Sequence, residues 1–582
     1  MNRLWNYTRR YRGRMIWGCM MLLLTNAATM VIPQLFRFAI DGISAGESAE
    51  QLRSIALTLA IIAGGGAVFR ILSRINIFYV GRDVELDLRL DFYRHLTKLS
   101  PAFYQTHPTG DLMSRATNDL TQVRLLLGPG MLNFVNTAIA YSTAIPFMLF
   151  ISPKLTLLAM TVYPPAMLTM RYFGRALYQR HRAVQVSMGS MSSLVQENLA
   201  GAHVVRAFAN ESQQASRFAE RNDDYYRTNV RLAWIRSGLF RLMMTVANVA
   251  VLSVVFFGAG HVLEARLTLG ELVALIEYIA LLAWPTLALG WMLSLWQRGA
   301  SAMRRLNEVL DVEPEIAPGP LQPAVVLPTV TVRDLTVTFE KRDVLSHIDL
   351  EIRPGSTLGI VGPIGSGKTM LVRAMLRLLN VPPKTVFVGG HDVTELDFKT
   401  LRGAFGYVPQ AHTLFSKSLA DNVSFGRPDA SEEEIRAALM TAAFDSDLTT
   451  LPKGTDTLVG ERGVTLSGGQ KQRASIARAL LLDPPILVLD DALSSVDAET
   501  EADILEALRA TRNDRTTVIV AHRYSAVQGA DEIIVLDQGR IVERGNHANL
   551  VVADGMYARM VRRQELEAGL AGARAAVGGG AA

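Results

Sequence analysis

Cysteine is almost missing from this 582-residue chain: Cys19 stands alone, which excludes an intramolecular disulfide and a zinc site built on a cysteine cluster. Excess charge is missing too. The formal net charge is only +5, and the basic residues gather beside apolar runs instead of forming a stripe. No nucleic-acid partner is therefore expected, and the basic character reads as membrane topology. What the chain has in abundance is apolar sequence, 49% of all residues, spread unevenly. Roughly the first 300 residues hold several runs able to cross a hydrocarbon layer about 30 Å thick, whereas the rest reads as a soluble α/β domain.

Arg3, Arg9, Arg10, Arg12 and Arg14, ahead of an apolar stretch from about Met15 to Phe38, imitate a secretory signal, but the stretch is too long for one. As a first span it leaves the N-terminus inside. Further spans are expected at about Ile55 to Val80, Met131 to Ile151, Leu155 to Phe173, Leu239 to Leu263 and Leu269 to Trp296, so six crossings return the chain to the cytoplasm. Arg70 and Arg74, late in the second span, can snorkel to the inner surface or line a wet cavity. From Gly81 to Leu127 a helical apolar period persists (Val84, Leu88, Phe92, Leu96, Leu99), which predicts one helix running far into the cytoplasm as a lever arm. A second long charged section covers Arg175 to Arg236. The expected organisation is an all-α membrane domain over 1–311, a linker over 312–328 with five prolines and no helix or strand period, a soluble domain over 329–568, and an unpacked Ala/Gly tail over 569–582.

The soluble part opens with strand-like alternation at Thr329 to Phe339, and the run Ser356 to Val361 leads into Gly362-Pro363-Ile364-Gly365-Ser366-Gly367-Lys368-Thr369. Such a loop between strand and helix lets backbone N–H groups cradle phosphates, while Lys368 reaches the β/γ-phosphates and Thr369 ligates Mg²⁺. Its counterpart is the apolar run Ile486-Leu487-Val488-Leu489, closed by Asp490, a second Mg²⁺ ligand, and by Asp491. Together they define a P-loop nucleotidase that uses ATP and Mg²⁺.

Leu466-Ser467-Gly468-Gly469-Gln470-Lys471-Gln472-Arg473, ahead of a helix, narrows the class, because it resembles the signature of the ATP-binding cassette. The rest of the set is also present: Gln410 in Tyr407-Val408-Pro409-Gln410 resembles the Q-loop, Asp497 in Ser494-Ser495-Val496-Asp497 the D-loop, His522 the switch histidine, and Gly460-Glu461-Arg462-Gly463 the exporter-type segment before the signature. Phe339 stands where the family usually stacks a tyrosine on adenine, keeping the π-face without the hydroxyl. Phe103-Tyr104, Thr109-Gly110-Asp111-Leu112 and Arg115 to Asp119 resemble the first coupling region of the family's membrane domain, and Gly201 to Phe208 the approach to the second. Six spans ahead of one cassette resemble a half-size B-family exporter of type IV fold. That order of domains favours export over import.

The resemblance implies two chains and two composite sites. Ser467, Gly468, Gly469 and Gln470, at a helix N-terminus, would contact the γ-phosphate held by the opposite cassette. Gln410 would act both as a metal ligand and beside the attacking water. Asp491 occupies the position of the family's catalytic glutamate. A carboxylate one methylene shorter sits back from the water by about 1.5 Å, and misplacement of about 1 Å can cost roughly 100-fold in rate. Hydrolysis at this chain's own site, by Asp491 with His522 and Gln410, should therefore be slow, while its intact signature completes a site on a partner. The pattern resembles the degenerate subunit of heterodimeric bacterial multidrug exporters, with a partner carrying the glutamate, in the bacterial inner membrane with both termini cytoplasmic. The alternatives are a homodimeric lipid or lipopeptide flippase and a regulatory or gated-pore subunit. The substrate is expected to be hydrophobic or amphipathic, a drug or a lipid. Glu277, in the sixth span, either meets cationic substrate or is simply hydrated near the outer end. Tyr141, Tyr163, Tyr278, Trp284, Trp291 and Trp296 line a cavity or mark the interface belt.

Overall fold

A computed structural model describes residues 2–339, 342–460, 466–511 and 514–578. They form two compact units: 1–97 with 109–312, and 98–108 with 313–582.

The first unit is entirely helical. Four helical stretches are long and apolar enough to cross a membrane, Arg12–Ala45, Ala49–Leu96, Thr109–Ile151 and Leu269–Leu310. The other two expected spans fall on Pro153–Thr161 with Tyr163–Ala200, and on Glu211–Leu263, whose apolar part is Asn248–Leu263. At 1.5 Å per residue, the 53-residue helix Glu211–Leu263 reaches about 80 Å, far more than a bilayer needs. The Ser48–Gln51 and Thr268–Glu271 capping boxes start two of these helices by satisfying their free N–H groups. Against the helix Ala49–Leu96 a row of pairs forms: Arg14 of Arg12–Ala45 with Asp83 at 2.7 Å, and, from the short helix Asn2–Arg10, Arg10 with Asp87 at 3.2 Å and the Tyr7 hydroxyl donating to Asp91 at 2.6 Å. The four-residue spacing of the three aspartates sets them on one helix face, so the basic start also ties both preceding helices to it.

One expectation is corrected here. The helix beginning at Ala49 ends at Leu96 and does not run to Leu127; the chain turns through the short helix Pro101–Thr106 before Thr109. Pro101 occupies a first-turn position, where its missing N–H costs nothing, and Pro108 cannot continue a helix by hydrogen bonding. Two π-helical turns, Arg115–Asp119 and Leu126–Gly130, follow.

The second unit is an α/β cassette. Its strands are β1 (Val330–Phe339), β2 (Arg342–Ile352), β3 (Thr357–Val361), β4 (Val386–Val388), β5 (His391–Asp392), β6 (Phe405–Val408), β7 (Ile486–Asp490), β8 (Thr516–Val520), β9 (Glu532–Asp537) and β10 (Arg540–Gly545). They make a four-stranded antiparallel sheet ordered β2-β1-β4-β5 and a six-stranded sheet ordered β10-β9-β3-β8-β7-β6. The latter is parallel except for β10. Strand β7 is buried along its whole length, as expected of a continuous apolar run covered on both faces. The linker is not free: Leu321 pairs with 395–397, donating to Glu395 O at 2.9 Å and accepting from Asp397 N at 2.9 Å. The short helix Pro101–Thr106 belongs to this unit, where Ser100 Oγ donates to Glu315 at 3.3 Å. The last helix, Met556–Gly578, continues through the expected unpacked tail as far as Gly578, in keeping with the high helix propensity of alanine. Residues 579–582 lie outside the described residues.

Candidate active site

Strand order brings the separate motifs together. In an open parallel sheet the carboxyl ends of the strands share one edge, and ligands bind there. The phosphate loop leaves β3, His522 lies just past β8, Asp490 ends β7, and Gln410 follows β6; those four strands are consecutive neighbours.

The loop itself is shaped for phosphate. Gly362 and Gly367 have φ of +149° and +103°, and a Cβ on either would press against Leu536 O at 2.0 Å or Val344 O at 2.8 Å, so only glycine fits. Ser366 Oγ is buried with no hydrogen-bond partner among the described residues, an acceptor-hungry hydroxyl aimed into the loop's own fold. Lys368 is buried too, its Nζ donating to Gly362 O and Pro363 O at 2.8 Å each. Burial pulls its pKa down while Asp491 and Asp490 oppose the shift. Thr369 Oγ1 donates to Asp490 Oδ1 at 3.0 Å. Burial raises Asp490, against the hydrogen bonds from Thr369 and Tyr407. These features fit a triphosphate with Mg²⁺.

Asp491 sits beside this pair with φ of +52°, a left-handed backbone that aspartate tolerates better than most side chains. Its N–H donates to Val520 O at 2.9 Å, and Gln410 Nε2 donates to its Oδ2 at 3.4 Å. Asp491 and His522 line one cleft of about 90 Å³, together with Ser494 and Glu501. Asp491 thus meets the Gln410 amide directly and shares a cleft with His522.

Ser467 caps the helix Gly468–Leu480: its Oγ accepts from Gln470 N at 3.2 Å, and Gln470 Oε1 accepts from Ser467 N at 2.9 Å. Ser467 and Gly468 are exposed, and nothing crowds Gly468, so this N-terminus is open to a ligand outside the chain. Asp497 is exposed, and both its carboxylate oxygens accept from Thr500 at the start of the helix Ala498–Thr511. Phe339 is 43% exposed at the end of β1. Of the exporter-type segment only Gly460 is described; 461–465 lie outside the described residues.

Three residues of this site escaped the sequence reading. The Tyr407 hydroxyl donates to Asp490 Oδ2 at 3.2 Å, and burial beside that carboxylate pushes the phenol's pKa well up. Gln472, fully buried, accepts from Ser495 N at 3.0 Å and donates to Asp491 O at 3.5 Å, tying the signature helix to the segment after β7. His412 buries an Nδ1 with no partner among the described residues, and burial lowers its pKa. Tyr407 and Gln472 stand inside the quoted motifs, Tyr407 on β6 and Gln472 one turn into the signature helix.

In the membrane unit, Glu277 is exposed on the helix Leu269–Leu310, on the same side as Trp284. Tyr278 and Tyr141 are each held by hydrogen bonds. Tyr278 is fully buried and donates to Met30 O at 2.8 Å, and Tyr141 shares a 2.6 Å hydrogen bond with Thr286. The side chain of Tyr163 lies outside the described ones.

Residues 15–286 match the family described as ABC transporter transmembrane region, and residues 345–494 the family described as ABC transporter. The chain is 37% identical to a probable multidrug resistance ABC transporter ATP-binding/permease protein, YheI, of Bacillus subtilis, over 97% of this chain and 98% of that one. It is 35% identical to the multidrug resistance-like ATP-binding protein MdlA of Escherichia coli, over 97% and 96%, and 31% identical to an ATP-dependent lipid A-core flippase of Syntrophus aciditrophicus, over 97% and 94%. A bacterial Atm1-family ABC exporter solved with ATP bound shares its fold with a TM-score of 0.78 at 30% identity, covering 95% of this chain and 98% of that one. A helical transmembrane domain joined to an ATP-hydrolysing cassette along one polypeptide therefore makes this chain a member of the ABC transporter family, a half-size exporter and ATP-driven translocase.

Proposed function

We propose that this chain is the weakly hydrolysing subunit of a heterodimeric exporter of hydrophobic or amphipathic compounds in the bacterial inner membrane, with both termini in the cytoplasm. The observation carrying the reading is the contrast between Asp491 and Ser467. Asp491 offers a short carboxylate already bonded by Gln410 at 3.4 Å, on a backbone that holds it near β7. A base about 1.5 Å short of a glutamate's reach loses roughly 100-fold in rate. Ser467 and Gly468, by contrast, present a capped, open helix N-terminus suited to the γ-phosphate of a nucleotide on another cassette.

Within the chain's own site, Gly362, Gly365, Ser366, Gly367 and Lys368 bind the triphosphate, Phe339 stacks on the base, and Thr369, Asp490 and Gln410 face the metal. Bound Mg²⁺ would neutralise charge on the transferring phosphoryl group. Gln410 and His522 orient water and γ-phosphate. ATP joins the two cassettes through both signature helices, and hydrolysis at the partner's site parts them, a two-state assembly biased by contacts present in only one state. Relatives named for multidrug resistance support drugs as cargo, and those named as lipid A-core flippases support lipids. Glu277 is assigned to cationic cargo, because an exposed carboxylate inside a span is costly unless it meets water or charge.

The test is co-purification with the neighbouring gene product, followed by ATPase assays across drugs and lipids. A stable complex with a chain bearing glutamate after its strand-end aspartate supports the reading. A fully active assembly of this chain with itself contradicts it.

A further inference from the structure

One side chain of the cassette's last helix hydrogen-bonds the switch-histidine loop at two points. Gln564 Nε2 donates to His522 O at 2.7 Å, and Gln564 Oε1 accepts from Tyr524 N at 2.9 Å, so one amide spans the two peptide groups flanking Arg523. The grip has a rigid base. Tyr557 and Val561 on the same helix are buried in the cassette core, and Tyr557 and Gln564, seven residues apart, share a face. The helix start is tied down as well, Glu543 accepting from the N–H groups of Met556 and Tyr557. From the opposite side the loop is held by buried Glu501, which accepts from Ser525 Oγ at 2.7 Å and pairs with Arg523 at 3.5 Å. Between these two holds the His522 side chain faces the cleft it shares with Asp491.

We infer that Gln564 is a positioning residue for ATP hydrolysis: its amide fixes the backbone on both sides of the switch loop, and so fixes where the His522 imidazole meets the γ-phosphate. The hold on His522 needs an N–H donor and the hold on Tyr524 needs an acceptor. Glutamine supplies both, whereas glutamate keeps only the second and faces the His522 carbonyl with like partial charge. The inference rests on the reading of His522 as the γ-phosphate contact.

The purified full-length transporter is labelled with radioactive photoreactive ATP, so that nucleotide consumed on this chain is counted apart from the partner's. Gln564→Ala should slow single-turnover consumption about tenfold, with ATP affinity within twofold, because the phosphate loop is untouched. Gln564→Glu, which keeps the side chain's shape, should give an intermediate loss and guards against a variant that merely fails to fold. Added to His522→Ala, Gln564→Ala should slow turnover no further, since it acts through that side chain. Independent, multiplicative losses, or an unimpaired Gln564→Ala beside a crippled His522→Ala, would overturn the inference alone. An unimpaired His522→Ala would instead overturn the reading of the histidine, and the inference with it.

Discussion

Ser366 and Asp490 are buried polar groups that the fold carries for the sake of a ligand, and each should betray that when changed. A buried hydroxyl without a partner costs about 1–3 kcal/mol. Ser366→Ala should therefore leave the thermal midpoint unchanged or higher without nucleotide, yet weaken ATP binding severalfold; calorimetric titration beside a thermal melt checks both halves. Asp490 is held above its ordinary value of 3.8 by burial, so its ionised form is disfavoured in the folded chain. The stability such a group contributes is full below its unfolded pKa and is lost as pH rises through the higher folded one. At pH 7 the bare carboxylate is thus a net cost. Asp490→Asn should raise the nucleotide-free midpoint at pH 7, with the gain shrinking as pH falls toward the carboxylate range, and should abolish the extra stabilisation that Mg-ATP gives the unaltered chain. A lower midpoint at pH 7 would mean that Thr369 and Tyr407 more than offset the burial.

Among elements, the turn between residues 96 and 109 teaches most. The apolar spacing of Val84, Leu88, Phe92, Leu96 and Leu99 continues a helix without interruption, yet the helix stops at Leu96. Ser100-Pro101 and Pro108 were the stop signals, and periodicity drowned them because Phe103 keeps an apolar residue in step. Phe103 is buried against the cassette's unit and stacks on His107 with ring centroids 4.0 Å apart. Phe103→Ala should spare ATP binding and basal hydrolysis but remove most stimulation by transported compound; ATPase rates with and without drug decide it, and undiminished stimulation would deny this helix a coupling role. Four of the expected spans, the phosphate loop and the β7 aspartate were legible because each is local: an apolar run, or a glycine pattern beside a strand. Tyr407 on Asp490, Gln472 on Ser495 and Gln564 on His522 were not legible. Those contacts depend on which strands are neighbours and on where the last helix lies, and no sequence spacing encodes that.

For the whole molecule, the proposed six-span topology with a basic start predicts that tags at residue 1 and residue 582 are both protected from added protease in intact cells; digestion of either would break that topology. The central claim is one of asymmetry, a poor base at the chain's own site and a complete signature lent to another. It is tested most directly by ATPase turnover of the assembled heterodimer carrying either Asp491→Asn or Ser467→Arg, with expression matched. The account predicts that Asp491→Asn retains most of the activity while Ser467→Arg, which blocks the γ-phosphate contact at the partner's site, nearly abolishes it. Equal, near-complete loss from both would make this chain's own site the catalytic one and contradict the account.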